Sequence, residues 1–303
     1  MKNIIFMGTP SYATCILKEL IKEGFNIQAL FTQSDKPVGR KQILTPSDTK
    51  KFILENNLNI KIYTPKSLKD ENIIKDIKDL KPDFIVVAAY GKILPKEILD
   101  IAPCINLHAS LLPKYRGASP IQSAILNADK ISGVCSMLME EGLDSGAVLE
   151  SVEFNIEGKK SNEIFDIFSN LAAKLCVSTL NNFYKITPKI QDESKVSFCK
   201  KIKKEDGLIE LNEASVIYQK FLAFYPWPGI FLQNGLKFLD IELFDKDSLQ
   251  ESGKILNIEN NGFLLACKKG VLKIKILQES GKKALDGKTY LNGKRLKIGD
   301  NLF

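Results

Sequence analysis

The sequence predicts an α/β protein in two parts, a Rossmann-like domain with a mostly parallel sheet followed by a small OB-like β-barrel. Three observations carry this. To about residue 155, short apolar runs alternate with stretches of helical periodicity, the rhythm of a doubly wound sheet covered on both faces. From about Lys185 the chain turns polar, through Thr187-Pro188, Gln191-Asp-Glu-Ser194 and Lys200-Lys-Ile-Lys-Lys204, which is the composition of a linker. Beyond it, short strand candidates are punctuated by Asn234-Gly235, Asn261-Gly262, Asp286-Gly287 and Asn292-Gly293, the turn chemistry of an antiparallel barrel. A chain of 303 residues has room for two such cores, so the expected boundaries are 1–186, 187–203 and 204–303.

The strand candidates of the first part are residues 4–6, 27–31, 60–63, 84–88, 104–108 and 134–139. Between the first two, Ile16, Leu17, Leu20 and Ile21 recur at helical spacing, and Gly8-Thr9-Pro10-Ser11 supplies a turn with Pro and Ser in cap-compatible positions. That turn lacks the later glycines of a G-x-G-x-x-G fingerprint, and no G-x-x-x-x-G-K-[ST] occurs, so neither a dinucleotide nor a P-loop nucleotide site is expected. The segment 32–47 reads as a long loop without structure of its own, an unusual length that favours a functional role over a solvated excursion. A helix over 161–184, with Ile164, Phe165, Phe168, Leu171, Ala172 and Leu175 on its apolar face, closes the first part. In the second, a helix over 214–223 runs into Phe224-Tyr-Pro-Trp-Pro-Gly229.

Apolar residues at 44% and charged residues at 26% exclude a disordered or fibrous chain. No run approaches the ~20 apolar residues of a membrane span, and the first strand is too short for a signal peptide, so a cytoplasmic protein with no membrane partner is expected. Six cysteines without a C-x-x-C pair argue against a zinc site and against a disulfide framework; they read as reduced core residues. The formal charge of +7 is informative once located. Residues 254–303 carry eleven Lys/Arg against four Asp/Glu, so the whole surplus sits at one end. It points to an anionic partner, nucleic acid first, with solubility as the competing reading.

The single histidine, His108, ends a strand candidate, and Asn106 precedes it by two residues. On a strand these two side chains share a face, where buried polar groups need partners or work. Histidine titrates nearest neutrality, so His108 can move a proton or polarise an oxygen; a partly buried structural histidine is the bland reading. Open sheets of this type bind ligands at the carboxyl ends of their strands, which brings two further loops to the same crevice. One is Ala88-Ala-Tyr-Gly-Lys-Ile-Leu-Pro95; the other is Glu140-Glu-Gly-Leu-Asp-Ser-Gly146. Asp144 in the latter is either a turn former or a carboxylate that orients the imidazole and takes a proton from a nucleophile.

The run Cys104-Ile-Asn-Leu-His-Ala-Ser-Leu-Leu-Pro-Lys-Tyr-Arg-Gly117, the Asp144 loop, Phe31-Thr-Gln-Ser-Asp-Lys-Pro-Val-Gly-Arg40, Tyr225-Pro-Trp-Pro228 and Gln278-Glu-Ser-Gly-Lys-Lys-Ala-Leu285 together resemble the methionyl-tRNA formyltransferases. These are a branch of the 10-formyltetrahydrofolate-dependent formyltransferases, and the resemblance covers essentially the full chain. The Asn, His and downstream Asp are shared with the wider family, so they specify formyl transfer and not the acceptor.

What the resemblance implies is transfer of a formyl group from 10-formyltetrahydrofolate to the α-amine of methionyl-initiator tRNA, by a monomer needing no metal. It assigns Asn106, His108 and Asp144 to catalysis, and Ser110, Leu111, Leu112 and Pro113, with Tyr90, Gly91 and Leu143, to the folate. The segment 32–47 resembles an insertion that reaches the tRNA acceptor end, with Arg40 as chief contact beside Lys36 and Lys41. Gln42-Ile43-Leu44 follows where many relatives place more lysines. Lys268, Lys269, Lys282 and Lys283 are the expected phosphate contacts of the barrel. Two other readings compete: a formyltransferase for a small acceptor, which leaves the basic barrel unexplained, and a non-catalytic RNA-binding protein, which leaves the three polar strand-end residues unexplained.

Overall fold

The computed structural model describes residues 1–39 and 41–303, and Arg40 lies outside them. They form two compact units. The first comprises Met1–Pro120, Ile131–Asn155 and Ile164–Cys199; the second comprises Ile121–Lys130, Ile156–Glu163 and Lys200–Phe303. No helix among the described residues is long and apolar enough to cross a membrane.

From Met1 to Cys199 the elements run β1 (Asn3–Gly8), α1 (Ser11–Lys22), β2 (Asn26–Phe31), β3 (Lys36–Val38), β4 (Ile43–Thr45), α2 (Asp48–Glu55), β5 (Lys61–Tyr63), α3 (Glu71–Asp79) and β6 (Phe84–Ala88). They continue with α4 (Lys96–Leu99), β7 (Cys104–His108), β8 (Arg116–Gly117), α5 (Pro120–Leu126), β9 (Ile131–Leu138), β10 (Val148–Asn155), α6 (Ser161–Asn182) and β11 (Phe198–Cys199). Among the described residues a seven-stranded sheet has the order β10-β9-β7-β6-β1-β2-β5. The five strands from β7 to β5 are parallel, and β9 and β10 are antiparallel, so the expected mostly parallel sheet is what forms.

Burial explains the continuous apolar runs of the central strands. Ile4, Ile5, Phe6 and Met7 are all fully covered, because both faces of the sheet are packed. One face meets Leu68, Ile77, Tyr90, Leu94 and Ile98 in a single cluster. The strand order reverses between β1 and β6, the kind of position at which open α/β sheets bind ligands beyond the carboxyl ends of their strands. Thr9 Oγ1 donates to the Tyr90 carbonyl across that point (3.3 Å), as does Gln33 Nε2 (3.0 Å).

Boundaries moved by a few residues. The sixth strand begins earlier, at Ile131, and the long helix ends at Asn182 with a 3-10 turn over Phe183–Lys185. Pro10 occupies the N-cap of α1 without a side-chain cap bond. A larger correction concerns 32–47, which is not structureless: β3 and β4 form an antiparallel hairpin, pairing Lys36 with Thr45, Pro37 with Leu44 and Val38 with Ile43. Its β-branched residues suit a strand, and Gly39 and Gln42 take the positive φ of the turn. Its base is tied down by buried hydroxyls, Thr32 donating to Ser47 (2.7 Å) and Thr49 to the Gly8 carbonyl (2.9 Å).

The second unit has α7 (Ala214–Ala223), β12 (Ile230–Phe231), β13 (Lys237–Leu249), β14 (Ile255–Glu259), β15 (Gly262–Ala266), β16 (Lys269–Gln278), β17 (Leu285–Asp286) and α8 (Gly287–Lys294). Among the described residues its strands form a six-stranded antiparallel sheet, ordered β12-β13-β16-β15-β14 with β17 also on β16. Register shifts recur along β13, the irregularity by which a long strand bends around a core. Phe238, Ile241, Phe263, Leu265 and Ile274 from the strands, with Ile217 and Phe221 from α7, are buried in this unit.

Candidate active site

Strand β7 delivers the site by alternation. Asn106 lies opposite Met137 and His108 opposite Cys135 on β9, so both leave the sheet on one face, while the Leu107 carbonyl accepts from Tyr12 Oη (3.2 Å). His108 is 6% exposed. Its Nε2 lies 2.9 Å from the Tyr115 carbonyl, and a carbonyl only accepts, so that nitrogen carries a proton in every state of the ring. The other ring nitrogen is Nδ1. It faces Asp144 Oδ2 at 3.7 Å, beyond hydrogen-bond distance.

Asp144 is held by two donors. Asn106 Nδ2 donates to Oδ1 (3.2 Å) and the Gly117 backbone N–H to Oδ2 (2.9 Å). Its backbone is left-handed, φ 49°, a conformation that costs an L-residue about 1–2 kcal/mol and that Asp tolerates better than most. Gly117 has to be glycine here: its φ is 121°, and a Cβ would stand 2.3 Å from the Cys199 carbonyl oxygen. Asn106, His108 and Asp144, three residues separated by up to 38 positions, thus converge on one carboxylate, Asn106 by a hydrogen bond and His108 by a 3.7 Å approach.

The segment expected to lie against folate follows directly. Ser110 is fully buried and donates to the Lys114 carbonyl (2.6 Å), and Leu112 N–H points at the Cys135 sulfur (3.4 Å). Leu111, Leu112 and Pro113 are half-buried, with a cis bond between the last two. Tyr90 and Gly91 follow β6, the neighbour of β7. The Tyr90 hydroxyl is buried without a partner, and burial pushes its pKa up to about 12; Leu143, beside Asp144, is 60% exposed.

Of the residues expected to meet tRNA, Lys36 begins β3 with its ammonium on the Gln33 side-chain oxygen, Lys41 is exposed at the hairpin turn, and Arg40 is outside the described residues. In the second unit Lys269 pairs with Glu213 and Lys282 with Glu279, whereas Lys268 and Lys283 are exposed and take part in no ion pair among the described residues.

Sequence reasoning missed the groups that hold Asp144. Gln191, within the stretch expected as linker, is 6% exposed; its Nε2 donates to the carbonyls of Asp144 and Gly146, both at 2.8 Å. Its Oε1 accepts from Arg116 Nε (3.0 Å) and Nη2 (2.9 Å). Arg116, 4% exposed, also reaches Glu193 Oε1 at 2.7 Å. The only sequence signal was the place of Arg116 within the motif run; Gln191 among Asp, Glu and Ser looks like solvated chain.

An amide, an imidazole and a carboxylate converging at the strand ends of an α/β sheet suit acyl-type transfer to an amine. The formyl transferase family model matches residues 1–178, and the formyl transferase C-terminal domain model matches residues 201–295. This chain belongs to the formyl transferase family. Among its relatives, the methionyl-tRNA formyltransferase of Campylobacter lari is 82% identical over 303 residues, covering 100% of both chains. That of Campylobacter jejuni strain RM1221 is 70% identical over 304 residues, again covering both in full. This formyl transferase also shares its fold with WlaRD, a sugar 3N-formyl transferase, at a TM-score of 0.67 and 18% identity over 93% of this chain and 99% of that one.

Proposed function

We propose that this formyl transferase moves the formyl group of 10-formyltetrahydrofolate onto the α-amine of methionine carried by initiator tRNA. The convergence of Asn106, His108 and Asp144 carries the chemistry, and the full-length likeness to methionyl-tRNA formyltransferases carries the acceptor.

In this reading the amine nitrogen attacks the formyl carbon and builds negative charge on the formyl oxygen. Asn106 retains one N–H beyond the bond it makes to Asp144, and His108 presents Nδ1–H once protonated; both are donors for that oxyanion. Asp144 stabilises the imidazolium and receives the amine proton. The tetrahedral intermediate then collapses, the carbonyl re-forms, the bond from carbon to folate N10 breaks, and N10 leaves with the proton that Asp144 took from the amine. Ser110 to Pro113, Tyr90, Gly91 and Leu143 are the proposed folate contacts. The first 186 residues would hold this chemistry and residues 204–303 the tRNA, with Lys268 and Lys283 the stronger phosphate candidates because they pair with no carboxylate among the described residues. A cytoplasmic monomer completes the proposal.

The test compares formylation of methionyl-initiator tRNA with that of free methionine. Comparable efficiency on the free amino acid would favour a small acceptor and leave the second unit without its proposed role.

A further inference from the structure

The stretch from Gln191 to Cys199 is attached to the catalytic loops at three levels. Its backbone forms β11, which runs parallel to β8 and pairs Phe198 with Arg116 and Cys199 with Gly117. Arg116 N–H donates to the Ser197 carbonyl (2.8 Å) and Ala118 N–H to the Cys199 carbonyl (3.3 Å). This seats Gly117, whose own N–H holds the Asp144 carboxylate. Gln191 then grips the same aspartate from behind, by its main-chain carbonyl and that of Gly146. The orientation of the amide follows from its neighbours: two carbonyls can only accept, and a guanidinium can only donate, so Nε2 faces the loop and Oε1 faces Arg116. All four hydrogen-bonding positions of a buried amide are used, and two of them fix a loop whose central residue has positive φ.

We infer that Gln191, oriented by Arg116, is a positioning residue that sets the Asp144 loop for formyl transfer, so that the segment reading as a linker is part of the catalytic apparatus. The inference rests on Asp144 being catalytic, as proposed above. Gln191 touches no reacting atom in this scheme. Its effect passes through the placement of one carboxylate, where a displacement of about 1 Å can cost on the order of 10² in rate.

The informative substitution is Gln191→Glu, which keeps an acceptor for Arg116 and the packing volume but removes both donors to the loop. With 10-formyltetrahydrofolate and methionyl-initiator tRNA near neutral pH, kcat should fall about 10- to 100-fold, with KM for the folate within about threefold of wild type. As pH is lowered, the introduced carboxyl regains a donor, and the ratio of variant to wild-type kcat should rise; damage to the strap alone would not have that dependence. Asp144→Asn and the double variant complete a cycle. If Gln191 works through Asp144, the double variant should be no more than about twofold slower than Asp144→Asn.

Near-normal turnover by Asp144→Asn would overturn the catalytic reading itself. A slow Asp144→Asn beside a Gln191→Glu variant within about twofold of wild type would overturn the positioning role alone, and so would losses that multiply in the double variant. Should Gln191→Glu not yield folded protein, Gln191→Met, which removes the four bonds at similar volume, is read through the same cycle.

Discussion

His108 has two nitrogens with different duties, and the structure assigns them. Nε2 is committed to the Tyr115 carbonyl, which fixes the ring's orientation, while Nδ1 faces Asp144. Replacing His108 by Ala should lower kcat about 10²- to 10³-fold, the typical loss of an oxyanion donor, with little change in folate affinity; single-turnover rates beside equilibrium binding would check it. Gly117→Ala should do damage by another route. Its added methyl meets the Cys199 carbonyl in a backbone region unsuited to alanine, so both strap and Asp144 must shift. Loss of stability by more than about 1 kcal/mol, read by chemical denaturation, together with a fall in kcat, is the expected result. An alanine variant with wild-type kcat would show that the Gly117 N–H contact to Asp144 is dispensable.

The β3–β4 hairpin shows how a short element is held in place from its base. Ser47 caps α2 by accepting from Lys50 N–H (3.2 Å) and at the same time accepts from Thr32 Oγ1 (2.7 Å), so one hydroxyl ties helix start to hairpin base. Ser47→Ala should cost about 1 kcal/mol, the usual worth of such a cap, measurable as a lower urea midpoint with unchanged m-value. If the hairpin meets the tRNA acceptor end, as the family resemblance implies, the same variant should weaken tRNA use while leaving folate binding intact. A tRNA affinity equal to wild type in a destabilised variant would separate the cap from the hairpin's role.

Across the molecule, two electrostatic consequences follow. The basic surplus is partly internal: Lys269, Lys273, Lys275, Lys282 and Lys294 each pair with a carboxylate, and Lys282 and Lys294 hold Glu279 down to about 2. Such lysines release fewer counterions on meeting phosphate. Neutralising Lys268 and Lys283 should therefore flatten the salt dependence of tRNA binding more per residue than neutralising Lys269 and Lys273. Equal slopes for the two pairs would place the docking face elsewhere.

The second consequence is alkaline sensitivity. Burial pushes Cys104 up to about 12, Cys135 up to about 11 and Cys267 up to about 12. In the unfolded chain these thiols ionise near 8.5, where the folded protein still keeps them protonated. Stability is thus fully present below about pH 8.5 and is lost above it, at roughly 1.4 kcal/mol per pH unit per thiol until the folded pKa is reached. Melting temperatures of reduced protein from pH 8 to 10.5 should fall, and Cys135→Ala should fall less steeply.

The sheet was legible because its strands are buried on both faces, and burial on both faces demands the unbroken apolar runs of residues 4–7 and 84–88. Asn106 and His108 were legible for the converse reason, since alternation put two polar groups on one face of such a strand. Folding alone decided the rest. The hairpin within 32–47 depends on pairing that no short apolar pattern announces, and the pairing of lysines with carboxylates depends on which strands become neighbours. Gln191 is the clearest case. Its polarity reads as solvation along the chain, yet it is buried with every donor and acceptor used, and only the three-dimensional fold brings it to Asp144, 47 residues away. Local sequence specifies which groups need partners; which partner satisfies each is settled by contacts distant in sequence.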